Sequence, residues 1–212
     1  MSNFRAFLLM ATFCLNASAQ PEAEIDALTQ KMAGTYFTAA HTESVDGKLT
    51  GCGLEFAALT RDFSTKKGAP VKLSGSFYLR PLPQKGLAYM VKLGGIDFQP
   101  VEAAFAPANI FVRSATGNAP KNALPLKSDN PNYALIVGAF DDDVTSILTS
   151  IVEKKEFVVG FNRKKGQLDV VATIDLTVTD TKFIDGEALR VRSGKPLDEF
   201  MACNSRLIQL AK

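Results

Sequence analysis

The sequence predicts a mainly β or α+β protein, an antiparallel β-sandwich or partly closed barrel with about three peripheral helices. Two observations lead to that class. Val71, Leu73, Gly75, Phe77 and Leu79 alternate with Lys72, Ser74, Ser76, Tyr78 and Arg80, the pattern of a strand with one wet face. The stretch Ala139–Thr179 then changes period midway, from helix to hairpin.

In that stretch Val144, Ile147, Leu148 and Ile151 fall on one helical face. Asp141 is placed to cap the helix, Asp142 and Asp143 lie at its positive end, and Lys154 and Lys155 at its negative end. From Glu156 the spacing is that of a strand with Phe157, Val159 and Phe161 on one side. The four residues Arg163-Lys164-Lys165-Gly166 make the turn, and a second strand carries Leu168, Val170, Ala172, Ile174, Leu176 and Val178 on one face.

Residues 1–19 read as a secretory signal peptide, with Arg5, an apolar run Ala6–Leu15 and Ala17-Ser18-Ala19 before Gln20. Cys14 raises a lipoprotein signal as the competitor, but bulky Phe13 stands where that signal needs a small residue. No run reaches the roughly 20 apolar residues of a spanning helix. The sequence therefore predicts a periplasmic or secreted protein with residues 20–212 as a single β-rich domain, a length that buries about 70% of its unfolded surface. Without Arg5 the chain holds 23 basic and 22 acidic side chains, too balanced to argue for nucleic acid. Cleavage leaves Cys52 and Cys203, an even pair in an oxidising compartment, and a disulfide between them is expected. Cys52 is in register with Leu54 and Phe56, and Cys203 shares a helical face with Phe200 and Leu207, so both sulfurs point inward.

In chain order, Glu22–Ala33 reads as a helix with Ile25, Leu28 and Met32 on one face and Gly34 as its stop. Tyr36–Thr42 and Leu49–Leu59 read as a hairpin closed near Asp46-Gly47. Pro81 and Pro83 end the third strand. Leu87–Leu93 is a strand, Gly94-Gly95 marks a turn or bulge before Ile96–Phe98, and Ile110–Arg113 is a shorter strand. Ser114–Asn132, with three prolines and four asparagines, reads as a long loop, either a candidate binding edge or a plain surface insertion. Tyr133–Phe140 is nearly all apolar, as a strand buried on both faces would be. Phe183–Arg192 carries the turn signal Asp185-Gly186. A final helix follows Gly194-Lys195-Pro196 with Leu197, Phe200, Met201, Leu207 and Ile208 on one face.

The motifs of catalysis are sparse. A single histidine, His41, is no basis for a Ser–His–Asp or Cys–His arrangement, and no G-x-S-x-G elbow is present. Two distant cysteines and one histidine do not make a zinc set, Asp141–Asp143 is accounted for by helix capping, and Gly94-Gly95 lacks the rest of a phosphate loop, so no metal or cofactor is expected. Glu55, Asp62, Asp169 and Asp175 read as a solvated strand face. Two basic clusters, Lys66-Lys67 and Arg163-Lys164-Lys165, sit at hairpin turns, which must be polar in any case; the alternative is that each meets an acidic partner or a phosphate headgroup.

The resulting expectation is an exported, non-enzymatic binding or accessory protein of a bacterial envelope, acting on an envelope or secreted protein, with an inhibitor or immunity protein as one concrete form. The candidate contact residues are Asn118, Lys121, Asn122, Lys127, Asn130, Arg163, Lys164 and Lys165. The alternative is a periplasmic carrier of a small ligand or lipid, with an apolar pocket lined by Phe77, Tyr89, Phe111 and Phe161.

Overall fold

Alternation along the strands sorts the chain into two layers. The computed structural model describes residues 27, 29–82, 86–98, 102–185 and 187–210. The expected signal peptide 1–19, Ile25 and Leu28 of the first helix, Pro83 and Gly186 lie outside them. Residues 29–32 are helical, and Gly34, at φ +107°, turns the chain into the first strand. The strands that follow are β1 (Gly34–Val45), β2 (Lys48–Asp62), β3 (Ala69–Pro81), β4 (Leu87–Asp97), β5 (Ala103–Phe105), β6 (Asn109–Arg113), β7 (Leu124–Leu126) and β8 (Tyr133–Ala139). Helix α1 (Asp142–Glu153) leads to β9 (Glu156–Asn162), β10 (Val170–Asp175), β11 (Val178–Ile184), β12 (Glu187–Arg192) and helix α2 (Lys195–Leu210).

The large sheet runs β1-β2-β3-β4-β8-β7, with β5 also on the β8 side of β4. A second sheet runs β10-β9-β6, and β11 pairs with β12 alone. The large sheet ends in two open margins, so this is a sandwich rather than a closed barrel. Asp46 and Gly47 both take positive φ between Val45 and Lys48, the conformation a two-residue hairpin demands.

Register sets the core. Leu54, Phe77 and Val91 stand side by side across β2, β3 and β4, as do Cys52, Leu79 and Tyr89 in the next row. They face Phe157, Val159 and Phe161 of β9, together with Val144, Ile147 and Ile151 of α1, all fully buried. Phe157 lies 5.4 Å from Phe56 and 6.1 Å from Phe77, ring to ring, and Phe77 meets Phe200 of α2 at 6.4 Å. Each such ring contributes about 1.5–3 kcal/mol by leaving water. Asp141 caps α1 by accepting from the Val144 N–H at 2.9 Å. The Cys52–Cys203 disulfide is present, with the Cα atoms 5.7 Å apart, and ties α2 to β2.

At the β1 margin, side chains replace a ladder. The Thr38 hydroxyl donates to the carbonyl of Val178 at 2.8 Å, the Thr181 hydroxyl donates to the carbonyl of Tyr36 at 3.0 Å, and Arg190 Nε donates to the carbonyl of Thr35 at 3.0 Å.

Several expectations need correction. Gly94-Gly95 is not a turn or bulge: β4 continues through it, pairing Ile96 with Lys72. Gly95 is required because the ring of Phe105 lies across it, so an added Cβ would stand 2.2 Å from that ring. The same device recurs at Gly53 under Tyr78, Gly138 under Tyr89 and Gly160 under Phe111, each glycine directly opposite its aromatic partner across the ladder. Phe105 has little room to yield, since it also packs on Phe161 at 5.8 Å and under the Arg163 guanidinium at 3.9 Å. Gly95→Ala is therefore expected to cost about 1–3 kcal/mol of stability in urea unfolding.

The strand expected to reach from Leu168 to Val178 is two strands. The Asp175 carboxylate accepts from the Thr177 N–H at 3.0 Å and the Thr177 hydroxyl at 2.7 Å, a local turn that competes with the ladder and sends β11 away to β12. Leu168 is not on the buried face but 79% exposed. Tyr133–Phe140 is not buried on both faces: only Ile136 and Gly138 are buried, because one side of β8 looks out from the sheet. The loop Ser114–Asn132 is not structureless, since it contains β7. Ile208 is 43% exposed, and the inner face of α2 is Leu197, Phe200, Cys203 and Leu207.

Candidate functional site

The pleat that fills the core leaves the other side of the large sheet facing outward. Along one outward row His41, Gly53, Tyr78, Met90, Val137 and Leu124 stand side by side, and the next row runs Ala39, Glu55, Ser76, Lys92, Leu135 and Leu126. Both α1 and α2 pack on the inner side, against β6 and β9 and against β1 to β3. Among the described residues no helix covers this face. Its β7 end is apolar, with Leu124 64% and Leu126 51% exposed beside Met90, Leu135 and Val137. Pro125, between the two leucines, lacks the N–H with which this margin would take up another strand.

The expected contact residues of the loop divide into two groups. Asn118, Lys121 and Lys127 are exposed. Asn122 instead donates to the carbonyl of Ala139 and to the Asp141 carboxylate, both at 2.9 Å, pinning the loop to the start of α1. Asn130 accepts from the Asn132 N–H at 2.9 Å and so shapes the return into β8. Lys92 reaches over the face to Asp129 at 2.5 Å and over the Tyr133 ring at 5.2 Å.

His41 lies on this open face rather than in a cleft. Its Nδ1 is 3.8 Å from Glu55 Oε1, and the Tyr78 hydroxyl donates to the same oxygen at 3.4 Å. Burial and the neighbouring Glu55 and Glu43 carboxylates push the Tyr78 phenol far above its ordinary value, so it stays protonated. Of the aromatics named for a carrier pocket, Phe77, Tyr89 and Phe161 are fully buried in the core and Phe111 covers Gly160.

The third feature is at the far end of β2. Asp62, expected on a solvated face, is fully buried. Its carboxylate accepts from Ser64 and Thr65, by both backbone N–H and hydroxyl, and from Arg163 Nε at 2.6 Å. Arg163 also forks onto Asp97, at 3.1 and 2.5 Å, and Lys66 approaches the same carboxylate at 3.5 Å. Burial by itself would raise the Asp62 carboxyl, but Arg163, Thr65 and Ser64 outweigh it and hold the group well below the usual carboxylate range. Arg163 is thus turned inward and held, while Lys164 and Lys165 remain at the surface.

This hub draws the two basic clusters of the sequence to one end of the sandwich. Beside them lies a surface groove of about 590 Å³, lined in part by Leu59, Phe63, Leu168 and Val171, with Phe63 73% exposed. Sequence reasoning found each cluster but not their meeting, nor the exposed Phe63 and Leu168, because the turns are about a hundred residues apart and only the packing of one layer on the other joins them. Comparison with protein-family models, with curated proteins and with solved structures found no match to this chain.

Proposed function

We propose that this chain is an exported, non-enzymatic binding protein of a bacterial envelope that engages a protein partner through the outer face of its large sheet. The uncovered face itself carries the reading. A six-strand surface has an apolar end at Leu124, Leu126, Leu135, Val137 and Met90, and a polar middle of His41, Glu55, Tyr78 and Lys92. Apolar patches rimmed by polar groups are where proteins meet. Lys127, next to Leu126, and the exposed Asn118 and Lys121 of the same loop are assigned to the contact, whereas Asn122 and Asn130 hold the loop that carries them. The disulfide is in keeping with an oxidising compartment, and no described helix is long and apolar enough to cross a membrane. An inhibitor or immunity protein fits this reading, since either acts by covering a surface. Of the aromatics named for an internal carrier pocket, Phe77, Tyr89 and Phe161 pack as core and half-buried Phe111 covers Gly160, which favours the surface reading over the carrier.

Affinity capture from envelope extract, followed by titration with the purified captured protein, tests it. Leu124→Ser/Leu126→Ser is expected to weaken binding by at least tenfold, about 1.4 kcal/mol, with an unchanged melting temperature. Equal affinity of the variant, or a co-purified lipid or metabolite with no protein retained, would overturn the surface reading.

A further inference from the structure

The two turns drawn together by Arg163 share an unusual composition. The β2–β3 turn carries exposed Phe63 with Lys66 and Lys67, and the β9–β10 turn carries Lys164 and Lys165 with exposed Leu168. Phe98, next to Asp97, is a third large apolar side chain at this end, 43% exposed. A turn tip needs polar residues, but it has no structural need of an uncovered phenylalanine or leucine.

The charge at this end is lopsided. Of the nearby carboxylates, Asp62 and Asp97 are taken up by Arg163 and Lys66, Asp169 accepts from Asn162, and Glu102 is exposed beside Ala103, the ladder partner of Asp97, so basic side chains still outnumber acidic ones at this end. Among the described residues Lys67, Lys164 and Lys165 make no ion pair with the protein, so their charge faces outward. Apolar tips among outward lysines match the two layers of an anionic bilayer surface, acyl chains beneath and phosphate headgroups above. An acidic protein would satisfy the lysines but leave Phe63 and Leu168 without a reason to be exposed together.

We propose that the paired turns 63–68 and 163–168 form a peripheral membrane-docking tip, with Phe63 and Leu168 entering the interface and Lys67, Lys164 and Lys165 resting on anionic headgroups. This inference is independent of the protein-partner reading. The outward row through Gly53 lies nine residues from Asp62 along β2, on the order of 30 Å at the strand rise, so a docked chain would still present its sheet face.

Vesicle co-sedimentation of the purified exported chain tests it, comparing phosphatidylcholine alone with phosphatidylcholine containing phosphatidylglycerol. Binding is expected only with the anionic lipid and is expected to fall as salt is raised. Lys164→Glu/Lys165→Glu and, separately, Leu168→Ser should each reduce partitioning, the charge reversal by at least about tenfold. These side chains lie outside the core, and equal melting temperatures verify that the variants fold. Phe63 packs on Gly68, so Phe63→Ser is the secondary variant. Absence of binding to anionic vesicles at low salt, or binding that both primary variants retain, would overturn the proposal. So would lysine-dependent binding to polyglutamate without any binding to vesicles, which would assign the site to an acidic protein.

Discussion

Arg163→Met is expected to lower stability by about 3–5 kcal/mol in urea unfolding at neutral pH, because it strands the fully buried Asp62 carboxylate without its cation. The methionine can still lie on Phe105, so the loss reports the charge rather than a void. The pH dependence gives a second readout. The Asp62 carboxyl titrates lower in the folded chain than in the unfolded one, so the folded state favours its ionised form. Its contribution is fully present above the unfolded carboxylate value, about 4, and is lost as pH falls from there through the lower folded value. Wild type should therefore weaken on acidification, and Asp62→Asn should flatten that slope while being less stable at pH 7. A loss under 1 kcal/mol in Arg163→Met would mean that the hub orients the turns without stabilising the sandwich.

Removing the disulfide, by Cys52→Ala/Cys203→Ala, is expected to cost up to about 4–5 kcal/mol on the chain-entropy argument, since the bond joins positions 151 residues apart. Of the elements it touches, α2 should suffer most, because β2 is held by ladders on both sides while the helix is held by packing alone. Hydrogen exchange should show α2 amides losing protection before those of β2 and β3. Uniform loss across both would show that α2 is integral to the cooperative core. Intact mass of the wild-type protein should show two hydrogens fewer than the reduced chain.

Local chemistry was legible where neighbours in sequence decide it. The period of Val71–Leu79, the Asp141 cap, the Asp46-Gly47 turn and the inward registers of Cys52 and Cys203 are all contained in a few consecutive residues. Misreadings arose where a distant group decides. Gly94-Gly95 looks like punctuation until Phe105 is seen lying across Gly95. Arg163 looks like the head of a solvated basic tip until Asp62 and Asp97 arrive from another layer. Asp175 looks like one more outward strand residue, although its spacing to Thr177 already carried the signal of a turn. The candidate surfaces follow the same division. Loop Ser114–Asn132 was visible from its prolines and asparagines, but the role of Asn122 as a brace depends on Asp141, and the apolar outer face depends on the order of five strand pairings.

The margins of the large sheet bear on what happens when many copies are crowded together. Strand edges with free peptide groups are templates on which a second molecule can add, and repetition of that step yields fibres. Here two carbonyls of the β1 edge, those of Thr35 and Tyr36, are taken by the Arg190 and Thr181 side chains of the same molecule, Thr38 of β1 donates to the Val178 carbonyl, and the β7 edge is three residues long with proline at its centre. A chain that displays leucines on an open face is thereby kept from stacking strand to strand. It can remain dispersed at high concentration while that face stays available.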